Sequence, residues 1–109
     1  MYKLVVFVPE THGEAVKEAI FAAGAGRQGN YEACCWQSAG TGQFRPMAGS
    51  QPFIGSHGAL ERVAELRVET LCSAEVMGPV LAALREAHPY EEPAFDIIAL
   101  VDPNEFESR

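Results

Sequence analysis

The sequence predicts an α+β domain of the ferredoxin-like βαββαβ pattern, an antiparallel sheet with two helices on one face. Three observations point there. Residues 3–8 and 94–101 are strand-like and apolar on both faces, and residues 61–70 alternate between charged and apolar positions. Two further segments, 14–23 and 76–87, repeat their apolar residues at helical spacing.

The elements follow in order. Residues 3–8 set Leu4, Val6 and Val8 against Val5 and Phe7, which describes a central strand covered on both sides. Thr11-His12-Gly13-Glu14 reads as a capping box, with the Thr11 hydroxyl and the Glu14 carboxylate taking free amide donors at a helix start. In the helix that follows, Ala15, Val16, Ala19, Ile20, Ala22 and Ala23 form one stripe, opposite Glu14, Lys17 and Glu18. Gly24 stops it. Residues 24–30 make a flexible connector to a β-prone run over 31–38. A glycine- and proline-rich loop is expected over 39–58, and its Phe44 and Phe53 argue against disorder.

From Glu61 onward, Val63, Glu65, Arg67 and Glu69 share one strand face and Arg62, Ala64, Leu66, Val68 and Thr70 the other. The second helix carries Val76, Met77, Val80, Leu81, Leu84 and Ala87, with Ser73 as a candidate cap and Pro79 either starting its regular part or kinking it. His88-Pro89-Tyr90-Glu91-Glu92-Pro93 is a rigid acidic turn, and residues 94–101 close the fold. Two helices cover only one face of such a sheet. The two-sided apolar strands therefore call for a second cover, and another copy of the chain, in a closed ring, is the expected one.

Size and charge narrow the functional classes. At 109 residues the chain suits one domain, 1–109, burying roughly 65% of its unfolded surface without staples. No apolar run approaches a membrane span and no signal peptide opens the sequence, so a cytoplasmic domain without membrane attachment is expected. Residues 1–60 hold four basic and four acidic groups, whereas 61–109 hold four basic and eleven acidic, so the formal charge of −7 resides in the second half. Such a chain repels phosphate backbones, which counts against nucleic-acid binding. Three cysteines, two of them adjacent at 34 and 35, fit reduced thiols better than a disulfide.

Four blocks resemble a known family: Gly24-Ala25-Gly26-Arg27-Gln28-Gly29-Asn30-Tyr31, Gly40-Thr41-Gly42-Gln43-Phe44-Arg45-Pro46, Pro52-Phe53-Ile54-Gly55, and His88-Pro89-Tyr90-Glu91-Glu92-Pro93-Ala94-Phe95-Asp96. In this order and spacing they look like the insert domain of Nif-three-like (YqfO-type) proteins, standing alone. That insert resembles the trimeric PII and CutA proteins. The resemblance, from Tyr2 to Leu100, implies a PII/CutA-like fold, a trimer and an unresolved binding role. Full-length members carry a dinuclear metal centre in a larger flanking domain for which 109 residues leave no room, so their hydrolase-like activity does not transfer.

Candidate sites each have a structural alternative. His88, Glu91 and Glu92 offer nitrogen and oxygen ligands for a divalent metal, with His57 a further ligand. Equally, the turn is structural, with Tyr90 packed down and the glutamates capping or pairing with arginine. Arg27, Asn30, Gly42 and Arg45 lie in glycine-rich segments that suit an anionic or metabolite ligand between subunits. The same glycines also suit tight turns, and no P-loop or dinucleotide fingerprint is present. Cys34, Cys35 and Cys72 read either as soft-metal or redox groups or as small buried hydrophobes. Glu61, Glu65 and Glu69 form an acidic strip or a solvated face, Trp36 is assigned to packing, and His12 to an exposed cap region. No nucleophile elbow or acid–base triad is visible. The leading expectation is a trimeric binding or regulatory module for a small ligand or divalent metal at subunit boundaries. The alternatives are a metal-assisted hydrolase using His88, Glu91 and Glu92 across subunits, and a scaffold docking a protein partner through the long loop.

Overall fold

The structure, a computed structural model, describes residues 1–107. Strand β1 (Tyr2–Pro9) leads through a 3-10 turn (Glu10–His12) into helix α1 (Gly13–Ala22). Strands β2 (Trp36–Phe44) and β3 (Glu61–Cys72) form a long hairpin, helix α2 (Ala74–Ala87) follows, and β4 (Ala94–Ala99) and a last 3-10 turn (Pro103–Glu105) complete the order. The sheet runs β2-β3-β1-β4, antiparallel at every pairing. This is the split βαβ arrangement the sequence predicts.

Burial explains why these segments adopt these forms. Leu4, Val6 and Val8 of β1 lie opposite Thr70, Val68 and Leu66 of β3, and this face meets the helices. Val16 and Ile20 of α1 and Val80 and Leu84 of α2 are fully buried against it. Ala15 and Ala22 of the predicted α1 stripe are exposed instead. Gly24 sits at φ +120°, where glycine alone is unstrained, and this ends α1 as expected. Pro79 lies inside α2 without dividing it, on the exposed side. Among the described residues no helix is long and apolar enough to cross a membrane.

Three local readings are corrected. The capping box does not form: the Thr11 hydroxyl bonds His12 Nδ1 at 2.8 Å, and the Glu14 carboxylate pairs with Lys17 at 2.7 Å. The connector before β2 is fastened, because the Gly26 N–H reaches the Leu71 carbonyl (2.8 Å), the Cys34 N–H reaches the Gly26 carbonyl (2.9 Å), and the Thr70 hydroxyl donates to the Cys34 carbonyl (2.7 Å). Third, β2 starts at Trp36 and runs to Phe44, so residues 39–44 belong to a strand and the loop spans 45–60. Strand propensity misleads here, since Gly40, Thr41 and Gly42 pair because β3 offers a complete ladder beside them.

The second sheet face is covered in part by the chain's own long side chains. Arg67 lies over the Phe7 ring at 5.6 Å and bonds Glu69, which also faces Lys3 at 3.5 Å. Glu69 is the register partner of Val5, which is only 1% exposed. Towards the two edges the cover fails, leaving Trp36 62% and Ile98 45% exposed. Leu84→Ala should lower unfolding free energy by about 2–5 kcal/mol in urea titration, as expected for a large side chain removed from a filled core. A loss below about 1 kcal/mol would show that α2 is loosely docked.

Candidate functional site

The site follows from unequal strand lengths. β1 pairs with β3 only over Glu65–Cys72, so the first residues of β3, 61–64, have β2 alone beside them. The hairpin therefore projects past the end of β1, and its loop folds back. Hydrogen bonds within the loop set its shape: the Gly58 N–H to the Pro46 carbonyl (2.7 Å), the Ser50 hydroxyl to the Met47 carbonyl (2.6 Å), and His57 Nε2 to the Ser50 carbonyl (2.8 Å). Two contacts fasten it to the body. The Gln51 N–H donates to Glu91 Oε1 at 3.0 Å, and Phe53 meets the His12 ring edge-on at 5.3 Å.

Between this loop and the 88–93 turn lies a cleft of about 580 Å³. Phe7, Phe44, Phe53 and Tyr90 supply aromatic surface, and Arg45, Glu65, Glu91 and Glu92 supply charge. Glu65 is 9% exposed, and its Oε2 accepts from the Tyr90 hydroxyl at 2.9 Å. Burial and the adjacent carboxylate push the Tyr90 phenol well above its ordinary range, so it stays a donor. Gly42 makes room for this pair, because a Cβ there would overlap the Glu65 carboxylate.

His88 holds the turn in place. It is 4% exposed, and its Nε2 lies 2.7 Å from the Phe7 carbonyl while Nδ1 lies 3.2 Å from the Tyr90 N–H. A carbonyl only accepts and an amide N–H only donates. The ring is thus neutral, with its proton on Nε2. Burial pulls its pKa below the usual histidine value, against the raising effects of the Phe7 carbonyl and of Glu65.

The predicted site residues separate into groups. Arg45, Glu91 and Glu92 line the cleft and Gly42 underlies it. Asn30 lies in a tight turn closed by reciprocal Gln28–Tyr31 bonds of 2.9 Å, and Arg27 immediately precedes it, beside the Leu71 end of β3. Eight residues along β3 separate that end from Val63, the register partner of Gly42, roughly 26 Å of strand. One ligand does not span both. His88 spends both ring nitrogens on the backbone and His57 binds within its own loop, so neither joins the two glutamates. Among the described residues no three His, Cys, Asp or Glu side chains gather as a metal site.

The other candidates are dispersed. Glu69 pairs with Lys3 and Arg67, Glu65 with Tyr90, and Glu61 packs near Gly55. The three cysteines are free, and burial raises the Cys72 thiol pKa. Trp36, assigned to packing, is exposed. Reading the sequence put Glu65 in a strip with Glu61 and Glu69 that the structure disperses, and it did not bring Phe7 to the site. The available signal was the pair of glycines at 40 and 42, whose missing side chains leave β3 uncovered at Glu65, the partner of Gly40.

His88 gives a pH prediction. Its folded pKa lies below the unfolded value, so its contribution to stability is complete above about pH 6.5 and is lost as pH falls. Urea midpoints measured at pH 7.5 and pH 5 should fall more for the natural protein than for His88→Gln. Equal falls would remove His88 from the acid response. Gly42→Ala should displace Glu65 and destabilise the fold by about 1–3 kcal/mol, the range for overpacking, with the cleft amides shifted in NMR spectra.

No family model matches the chain. A Mycobacterium bovis protein named GTP cyclohydrolase 1 type 2 homolog is 57% identical over 101 residues, covering 93% of this chain and 27% of that protein. Its namesake in Halalkalibacterium halodurans is 51% identical over 105 residues, covering 96% and 28%. The chain thus spans about a quarter of the length of these relatives. The crystal structure of a Bacillus cereus protein related to NIF3 superposes with a TM-score of 0.79 at 46% identity, over 93% of this chain and 26% of that one. The periplasmic divalent cation tolerance protein CutA from Archaeoglobus fulgidus superposes with a TM-score of 0.64 at 16% identity, over 92% and 84%, a likeness of fold alone. The chain is a homologue of one segment, about a quarter of the length, of these Nif-three-like relatives, and it has the CutA-like fold.

Proposed function

We propose that the chain is a small trimeric binding or regulatory module that takes a small ligand in the cleft between the 45–60 loop and the 88–93 turn. The observation that carries this reading is the cleft itself. A cavity of about 580 Å³ with aromatic walls and a few converging polar groups is the usual form of a small-molecule site. A loop fastened to the body by the Gln51–Glu91 and Phe53–His12 contacts suits a responsive wall, since ligand contacts can shift it without unfolding the core.

Assembly is supported by the sheet edges. β4 is an outer strand with Ile97 and Ile98 exposed, and Trp36 stands exposed on the opposite edge strand. Exposed strand edges with apolar side chains favour pairing with another chain. Copies of this chain joined along these edges would cover them and bring the cleft to a subunit boundary. The net charge of −7 speaks against nucleic acid as the ligand. A small organic ligand fits the cleft better than a lone divalent ion, because His88 is committed to the backbone.

Native mass spectrometry of protein purified without chelator, before and after addition of small organic compounds of positive, zero and negative charge, tests both parts. The expected result is a trimer with additional mass per subunit, and Ile98→Glu should shift it to monomer with the circular dichroism unchanged. A monomer at every concentration overturns the assembly. A trimer that takes up nothing transfers the role to docking of a protein through the loop.

A further inference from the structure

The chemistry of the cleft specifies its ligand more narrowly. We infer that it takes an organic cation with an apolar body, an aromatic or alkyl ammonium; this rests on the cleft being the binding site. Three carboxylates, those of Glu65, Glu91 and Glu92, line the cavity against a single guanidinium, that of Arg45. Acidic side chains at a surface are ordinarily solvated and signify nothing. Glu65 differs because it is nine-tenths buried, lines the cavity and receives one hydrogen bond, from a neutral phenol. Among the described residues the ion pairs of this face belong to Glu69, which takes both Lys3 and Arg67, so Glu65 has no cationic partner. A buried carboxylate without a counter-charge is costly, and a cation arriving in the cavity relieves that cost.

The walls agree with this charge. Phe7, Phe44, Phe53 and Tyr90 surround the cavity, and aromatic faces attract ammonium groups while repelling anions. Arg67, stacked on Phe7, already shows such an attraction on the neighbouring stretch of sheet. The rings of Phe44 and Tyr90 stand edge to face with their centroids 5.8 Å apart, which holds the two aromatic side chains as one surface beside Glu65. A bare divalent ion would leave these rings unused. An aliphatic or aromatic ammonium would use both the rings and the carboxylate.

The test is a titration of isotope-labelled protein, as its natural assembly, with three phenyl-bearing probes of similar size followed by amide chemical shifts. Phenethylammonium carries the cation, phenethyl alcohol is neutral and hydrocinnamate is anionic. The inference expects phenethylammonium to shift amides of the 45–54 and 90–94 segments and to bind at least about tenfold tighter than either control. Glu65→Gln retains an acceptor for Tyr90 and should abolish that preference. Glu92→Gln, an exposed change that leaves the fold intact, should weaken the cation severalfold, and added salt should do the same. Equal or tighter binding of hydrocinnamate or the alcohol at the same amides overturns the cation and leaves the cleft as the site. Shifts confined to other regions, or none with any probe, overturn the cleft reading as well.

Discussion

The rest of the molecule depends on a mismatch of strand lengths. β3 has twelve residues and β1 eight, so one end of β3 extends beyond the layer that the helices cover. A strand pair with no third neighbour and no helix above it has little to bury. The loop that joins it to β2 supplies the missing contacts by folding back, with Phe53 against His12 and Gln51 against Glu91. The cleft is the space left between that returning loop and the end of the sheet.

Polar order in the cleft passes through a short series of contacts. His88 joins the Phe7 carbonyl to the Tyr90 amide, Tyr90 presents its hydroxyl to Glu65, and Gly42 leaves the space that Glu65 occupies. Each member is fixed by the one before, starting from a core strand. A buried network of this kind is stable only when each donor meets an acceptor. No buried side-chain polar atom among the described residues lacks a partner. The arrangement gives a rigid floor under a loop that is attached at few points, which is the combination a ligand-responsive site needs.

The fold was readable because its signals are local and repeated. Alternation over residues 61–70 and helical spacing at Val16, Ile20, Val80 and Leu84 each report a buried face directly. The start of β2 was misplaced because Tyr31 and the two cysteines have higher strand propensity than Gly40-Thr41-Gly42. Pairing is decided by the partner strand, and propensity yields to it. The capping box failed because α1 begins at Gly13, which leaves Thr11 inside the preceding 3-10 turn with its hydroxyl on His12.

By itself the sequence determined the order of elements, the helix-facing core, the excess of acid in the second half and the resemblance to a family. These rest on composition and on spacing along the chain. Only the tertiary structure decided that Arg45 and Glu91 share a cleft while Arg27 stands at the other end of the sheet. It alone showed that His88 serves the backbone and that Glu65 is the buried acid. Those facts depend on register between strands and on the return path of a loop, which bring together residues dozens of positions apart. Linear spacing carries no record of such distances, because hydrogen-bond partners are chosen by the folded surroundings.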